Sequence, residues 1–246
     1  MKSGELATGR FDSVQDHVRV IAASTVDNAF SSGLGSAERM LLDSIMANRV
    51  LLHAGDHLVY EGDAFRTLYF VCAGTLKSFT DDLAGREYVH EFYFYQDIIG
   101  LDGIATNQYR ANVMALNTVL VIGYPYMKLM ELFSHLPQFF SHIVKRMSRA
   151  LSRNEALFGD FSAEQRVATF LLDMGRRFDE LGFSSRIFNL YMPRRDIANH
   201  LRLAPETVSR LFTRFRKDGL IETRGRETRI LEPRRLREIA GAPELP

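Results

Sequence analysis

The chain has 246 residues, room for one large domain or two modest ones, and its 46% hydrophobic and 25% charged residues are the mix of an ordinary globular protein. No apolar run is long enough to cross a bilayer, the single cysteine Cys72 excludes an intrachain disulfide, and the N-terminal segment lacks the features of a secretory leader, so a cytoplasmic protein with no membrane partner is expected. The net charge of +1 hides an asymmetry: residues 186–238 hold 14 Lys+Arg against 7 Asp+Glu, and the remainder 17 against 23, so only the C-terminal end invites a polyanion.

Residues 1–33 show no sustained period and many small polar side chains, the pattern of a loosely ordered lead-in. From Ser36 to Met46 the apolar residues Met40, Leu41, Leu42, Ile45 and Met46 suit a short amphipathic helix. Between Val50 and Tyr124 the texture changes to short β-rich runs, among them Val50–Leu52, Leu68–Val71, Leu76–Phe79 and Tyr88–Phe92. Gly55-Asp56, Gly62-Asp63, Ala73-Gly74 and Ala84-Gly85 punctuate them. Frequent turns between short strands predict a compact antiparallel roll over 34–136. Asp56, Glu61 and Asp63 fall at its turns, where such residues face solvent.

From Pro137 the period switches. Phe140, Val144, Met147, Leu151 and Phe158 recur at spacings of four and three, with polar Asn154 on the same stripe. This is the seam of a dimerisation helix over 137–160, one polar position fixing register; the bland alternative is a helix packed on its own domain. A second helix is predicted over Ser162 to Phe178, with Ser162 and Gln165 at capping-box spacing and Val167, Phe170, Leu171 and Met174 on its apolar face. Arg176 and Arg177 fall in its last turn, where cations suit the carbonyl end. The region 161–246 then forms a separate unit.

Within it, Pro193 precedes a helix through Arg194, Arg195, Asp196, Ile197, Ala198, Asn199, His200 and Leu201. Arg202-Leu203-Ala204 read as a tight turn, and Pro205 stands where proline starts a helix well. Ile197, Leu201, Val208, Leu211 and Phe215 can close one shared core between the two helices, which is helix-turn-helix geometry. The opposite face of the second helix presents Glu206, Ser209 and Arg210 at i, i+3 and i+4 in its first two turns, the part that enters a major groove. Arginine donates twice to guanine, glutamate accepts from cytosine, and serine does either. Arg194, Arg195, Thr207, Arg214, Arg216 and Lys217 surround that face as phosphate or supporting contacts. Residues 220–231 read as a hairpin with a basic tip, a wing. An ordinary helical hairpin with exposed arginines would explain the helix pair alone, but not the pair, the wing and the local charge together. Double-stranded DNA is therefore the expected partner. Paired carboxylates, a nucleophile–base set, a phosphate loop or metal-ligand spacing do not stand out, so an enzyme is not expected.

The stretch from Arg194-Arg195-Asp196-Ile197-Ala198-Asn199 through Glu206-Thr207-Val208-Ser209-Arg210 resembles the bacterial CRP/FNR regulators, and so does Arg176-Arg177-Phe178 followed by Gly182-Phe183-Ser184. The likeness covers nearly all the chain after Ser36 and is closest to the FNR branch. It implies an α+β fold: a cyclic-nucleotide-binding-like antiparallel β-roll, a long dimerisation helix and a C-terminal winged helix-turn-helix. It also implies a homodimer on a palindromic TTGAT-like site read by Glu206, Ser209 and Arg210, with RNA polymerase recruited around Asp81 to Arg86. Departures bear on the effector. One cysteine cannot supply the four thiolates of the branch's iron–sulfur cluster. In the nucleotide pocket Gly100 is followed by Leu101 and Arg110 by Ala111, so the ribose carboxylate and phosphate hydroxyl are missing and cyclic AMP is not expected. Gly100 and Arg110 would mark a vestigial pocket, with Arg110 free to take another anion or, the preferred reading, a carboxylate of the roll. Haem, the basis of an alternative ligand-dependent sensor, finds no ligand-pair spacing among His90, His135 and His142. Arg202 and Ala204 replace the family's turn glycine and hydroxyl cap, at a cost in turn strain and capping.

Overall fold

The computed structural model describes residues 35–45, 47–158 and 161–241. The expected lead-in at 1–33 lies outside the described residues.

Helix α1 (Ser36–Ser44) opens the described chain; Glu38 folds back on the Gly35 backbone N–H and accepts from the Gln138 N–H at 3.0 Å, tying the helix to a distant segment. Strands β1 (Asn48–Leu52), β2 (His57–Val59), β3 (Thr67–Ala73), β4 (Leu76–Asp81), β5 (Glu87–Tyr93), β6 (Ile98–Ile99), β7 (Asn112–Ala115) and β8 (Val119–Pro125) follow. They pair antiparallel into two four-stranded sheets, ordered β1-β8-β3-β6 and β2-β7-β4-β5. Phe70, Leu76, Val113, Val119 and Val121 fill the space between the sheets, the roll that the turn-punctuated β runs predict. Asp56 and Asp63 sit at its turns, each accepting from the backbone N–H three residues earlier (His53 and Tyr60). Strand β5 is an edge: in its sheet it has β4 on one side and, among the described residues, no strand on the other.

After α2 (Tyr126–Glu131) comes the long helix α3 (Pro137–Phe158). Phe139 and Ile143, one turn apart, are buried in the roll core, with the Phe139 ring 5.6 Å from Phe70. Its other stripe faces away: Phe140 is half-buried, Val144 is 62% exposed and Met147 is 40% exposed. Arg146 anchors the helix to the roll through Asp97 at 3.3 Å and Gln96 at 2.7 Å.

Helix α4 (Ala163–Glu180) begins with the capping box that its sequence predicts, Ser162 Oγ accepting from the Gln165 N–H and Gln165 accepting from the Ser162 N–H. It buries Val167, Phe170, Leu171 and Met174 under α5 (Arg194–His200) and α6 (Pro205–Lys217). Gly175 lets the following chain approach: a Cβ there would stand 2.3 Å from the Ser185 carbonyl oxygen. Strands β10 (Ile221–Arg224) and β11 (Glu227–Ile230) form the wing hairpin, β9 (Ile187–Asn189) extends it to three strands, and α7 (Pro233–Ala240) closes against α4. One apolar core runs from this unit into the roll, joining Phe79, Val89, Phe92 and Phe94 to Phe170, Ile197 and Leu201.

Candidate nucleic-acid interface

Helices α5 and α6 meet at the turn Leu201–Ala204. Ile197, Leu201, Val208 and Phe215 are fully buried between them and α4, and Leu211 packs at the margin. Phe212 joins this core, which the sequence pattern did not assign to it. Arg202 makes the turn with φ 54°, the left-handed conformation that glycine adopts without strain. Ala204 gives α6 no side-chain cap, and Pro205 at its start needs none for its own missing N–H.

With one side of α6 buried, the other is set by the 100° step of the helix. Glu206, Ser209, Arg210, Thr213 and Lys217 fall on one outward face, and all five are exposed. The side chains of Glu206, Ser209 and Arg210 make no hydrogen bond or ion pair among the described residues, so an acid, a hydroxyl and a guanidinium stand free on one convex surface. Thr213, at the centre of that face, was missed by sequence reasoning; its i+4 spacing from Ser209 was the signal. Its hydroxyl donates to the Ser209 carbonyl at 3.0 Å.

The surrounding arginines are not equivalent. Arg194 is half-buried, its guanidinium 3.6 Å from the Phe212 ring centroid, and burial lowers its pKa. Among the described residues Arg195 pairs with its neighbour Asp196, at 3.3 Å, and stays exposed. Arg214 pairs with Glu164 of α4, and Asp218 lies 3.7 Å away. Arg216 and Lys217 are exposed, without an ion pair among the described residues. Thr207 is half-buried. On the wing, Arg226 stacks over Tyr191 at 5.3 Å.

The C-terminal part matches the Crp-like helix-turn-helix domain model over residues 165–239, and the roll matches the cyclic nucleotide-binding domain model over 49–135. A transcriptional activator protein, Anr, of Pseudomonas aeruginosa is 38% identical over 203 residues, covering 81% of this chain and 83% of that protein. The chain belongs to the CRP/FNR family of transcription regulators. The fumarate and nitrate reduction regulatory protein of Vibrio cholerae is 35% identical over 211 residues, 85% of this chain and 84% of the relative. Among solved structures, FixK2 from Bradyrhizobium japonicum superposes with a TM-score of 0.70 at 24% identity, over 80% of this chain and 99% of that one, a likeness of fold. As a CRP/FNR regulator the chain is a DNA-binding protein and not an enzyme, and no helix among the described residues is long and apolar enough to cross a membrane.

Away from α6, Gly100 is buried with φ 99°, and Phe65 and Tyr109 crowd it, so backbone conformation accounts for the glycine. Arg110 is exposed on the wall of a cavity of about 1350 Å³ between roll and helix-turn-helix, which His90, Leu101, Arg146, Asn199 and Arg202 also line. It makes no ion pair among the described residues, so the carboxylate partner preferred from sequence is not found there. His90 holds Thr80 Oγ1 at 2.9 Å, and His135 is exposed beside Ser134; the side chain of His142 is outside the described residues. Cys72 is buried, and desolvation pushes its thiol up to about 12. Of the predicted seam, Phe140, Val144 and Met147 lie on one stripe of α3; Leu151, Asn154 and Phe158 continue along the same helix, their side chains outside the described residues.

Arg177 falls in the last turn of α4, as its sequence reading has it. What the sequence did not show is that its side chain is buried against the roll, donating to the Phe92 carbonyl at 2.9 Å and to Glu91 at 3.1 Å. Burial alone would lower its pKa, but Asp97, Glu91 and Asp173 hold the guanidinium above its usual value.

Proposed function

We propose that this regulator acts as a homodimer on a two-fold palindrome of TTGAT-like half-sites, each protomer reading one half-site with Glu206, Ser209 and Arg210. The observation that carries this is the outward face of α6, where these three side chains are exposed and uncommitted while Val208, Phe212 and Phe215 anchor the opposite face. Arg195, Arg216 and Lys217 supply phosphate contacts, Arg194 and Thr207 support the helix, and Arg214 braces α6 on α4. The exposed stripe of Val144 and Met147 on α3 is the dimer seam, and a second copy of the chain is its partner.

The loop between β4 and β5 is the surface offered to RNA polymerase. Leu83 stands fully exposed at its tip, and Asp82 holds the loop rigid by accepting from the Ala84 and Arg86 backbone N–H groups and from the Arg86 side chain. These bonds keep the Asp82 carboxyl down at about 2, so it is charged throughout the physiological range. The regulator works without an iron–sulfur cluster, cyclic AMP or haem: its one thiol is buried in a strand, and Leu101 stands where the family's ribose-binding carboxylate would be.

Selection of bound sequences from a random DNA pool by the purified protein tests this reading. The expected product is a palindrome with half-site centres about one helical turn apart. Recovery of single half-sites, or of no common sequence, would reject it. A visible absorption band in the purified protein would instead favour a haem-dependent sensor.

A further inference from the structure

The contact between roll and helix-turn-helix adds directional polar groups to a shared apolar core. Asn199 of α5 treats the edge strand β5 as a neighbouring strand would: its Nδ2 donates to the Glu87 carbonyl at 2.6 Å, and its Oδ1 accepts from the Val89 N–H at 2.8 Å. Three residues earlier on the same helix, Asp196 receives Lys77 of β4 at 3.2 Å. Lys77 is 1% exposed and also meets Glu87 at 2.6 Å, so one buried cation joins a carboxylate from each unit. Arg177 adds a third attachment, from α4 to β5.

An apolar contact can slide at little cost, whereas a two-point amide clamp beside a buried ion pair has only one good geometry. Its effect reaches the reading face through rigid parts. Asn199 lies three residues before Arg202, where the chain turns into α6, and α5 and α6 share one core. At the other end, the roll holds α3 through Phe139, Ile143 and Arg146. Packed and hydrogen-bonded contacts thus connect the exposed stripe of α3 to the outward face of α6, alongside the cavity that Arg146 and Asn199 line.

We infer that Asn199, Lys77 and Asp196 are positioning residues that set the distance and angle between the two reading heads, and so the half-site spacing that the regulator accepts. This rests on the dimeric, palindromic reading above. None of the three touches DNA in that reading; they act through α6. Inserting one base pair between half-sites turns one of them by about 34° and moves it about 3.4 Å, a change that a rigid arm resists and a loosened arm follows.

The experiment uses the full chain and palindromes of the selected half-site at the selected spacing and with one or two base pairs inserted or removed, with a single half-site duplex as control. Wild type should show a sharp spacing optimum. Asn199→Ala should flatten that optimum several-fold, mainly by losing affinity at the selected spacing, while its ranking of base changes within the single half-site stays as in wild type. Asn199→Asp, which keeps an acceptor for Val89 but turns a carboxylate oxygen on the Glu87 carbonyl, should flatten it at least as much. If Asn199→Ala does not fold, the double replacement Lys77→Met with Asp196→Leu removes both buried charges together, leaving only the partly exposed Glu87 without its lysine, and serves in its place. A variant with an optimum as sharp as wild type overturns this inference alone. Tighter binding at the selected spacing also overturns it, by marking the clamp as a brake. If wild type binds all spacings alike, the dimeric reading fails and the inference falls with it.

Discussion

Lys77 of the roll and Asp196 of the helix-turn-helix meet at 3.2 Å, with side chains 1% and 5% exposed. A lysine so placed needs its carboxylates, because an unpaired ammonium held out of water costs several kcal/mol. The pair makes roll and reading head depend on each other.

Lys77→Met should leave Asp196 buried with Arg195 as its remaining ion-pair partner among the described residues and lower stability by about 3 kcal/mol, somewhat cushioned because Glu87 is partly exposed. Adding Asp196→Leu should recover much of the loss. Chemical denaturation of both variants measures this; equal stabilities for the single and double variants would refute the coupling.

Arg210→Ala should weaken specific DNA binding by about 1–3 kcal/mol and relax base preference at one position of each half-site. Titration against half-sites substituted at each position checks both effects. Unchanged selectivity would remove Arg210 from the base-reading set.

Arg216→Ala should weaken binding to all sequences alike and lower the slope of log affinity against log salt by about 0.9 for each phosphate no longer neutralised. Titrations at several salt concentrations give the slope directly. A weakening confined to one sequence would contradict a phosphate role.

His200 is buried between the Phe92 and Phe170 rings, and burial lowers its pKa below 6.5. As pH falls through about 6.5, the unfolded chain therefore binds a proton that the folded chain refuses until lower pH. Folding stability should drop by up to about 1.4 kcal/mol per pH unit over that window. Melting temperatures at pH 7.5 and 5.5 should differ more for wild type than for His200→Gln. The same acid sensitivity in both would assign it to other groups.

The reading head was legible because its signals are local. Pro205, the apolar positions 197, 201, 208 and 215, and the Ser162–Gln165 box each act within a turn or two of helix. The attachment to the roll was not legible, since Asn199 and Val89 are 110 residues apart and nothing near either residue marks the pairing. Arg177 was half legible for the same reason: its place in the last turn of α4 is local, whereas its contact with the roll is tertiary. Strands as short as β6 and β9 have too few residues to show alternation, and their pairing partners decide them. On α3, adjacent stripes both repeat at three and four; the roll takes Phe139 and Ile143 and leaves Val144 and Met147 outside.

The Asn199 amide has one more effect, on solubility. A strand with open N–H and carbonyl groups along its rim is a template for adding another chain, and proteins shield such rims to avoid aggregation. Here the shield for β5 is borrowed from the C-terminal unit. A truncated chain ending after α3 would bare that rim together with Phe79, Val89 and Phe92 of the shared core. Cutting the regulator at its obvious boundary should therefore yield a sticky fragment, and keeping α4 and α5 attached is the remedy.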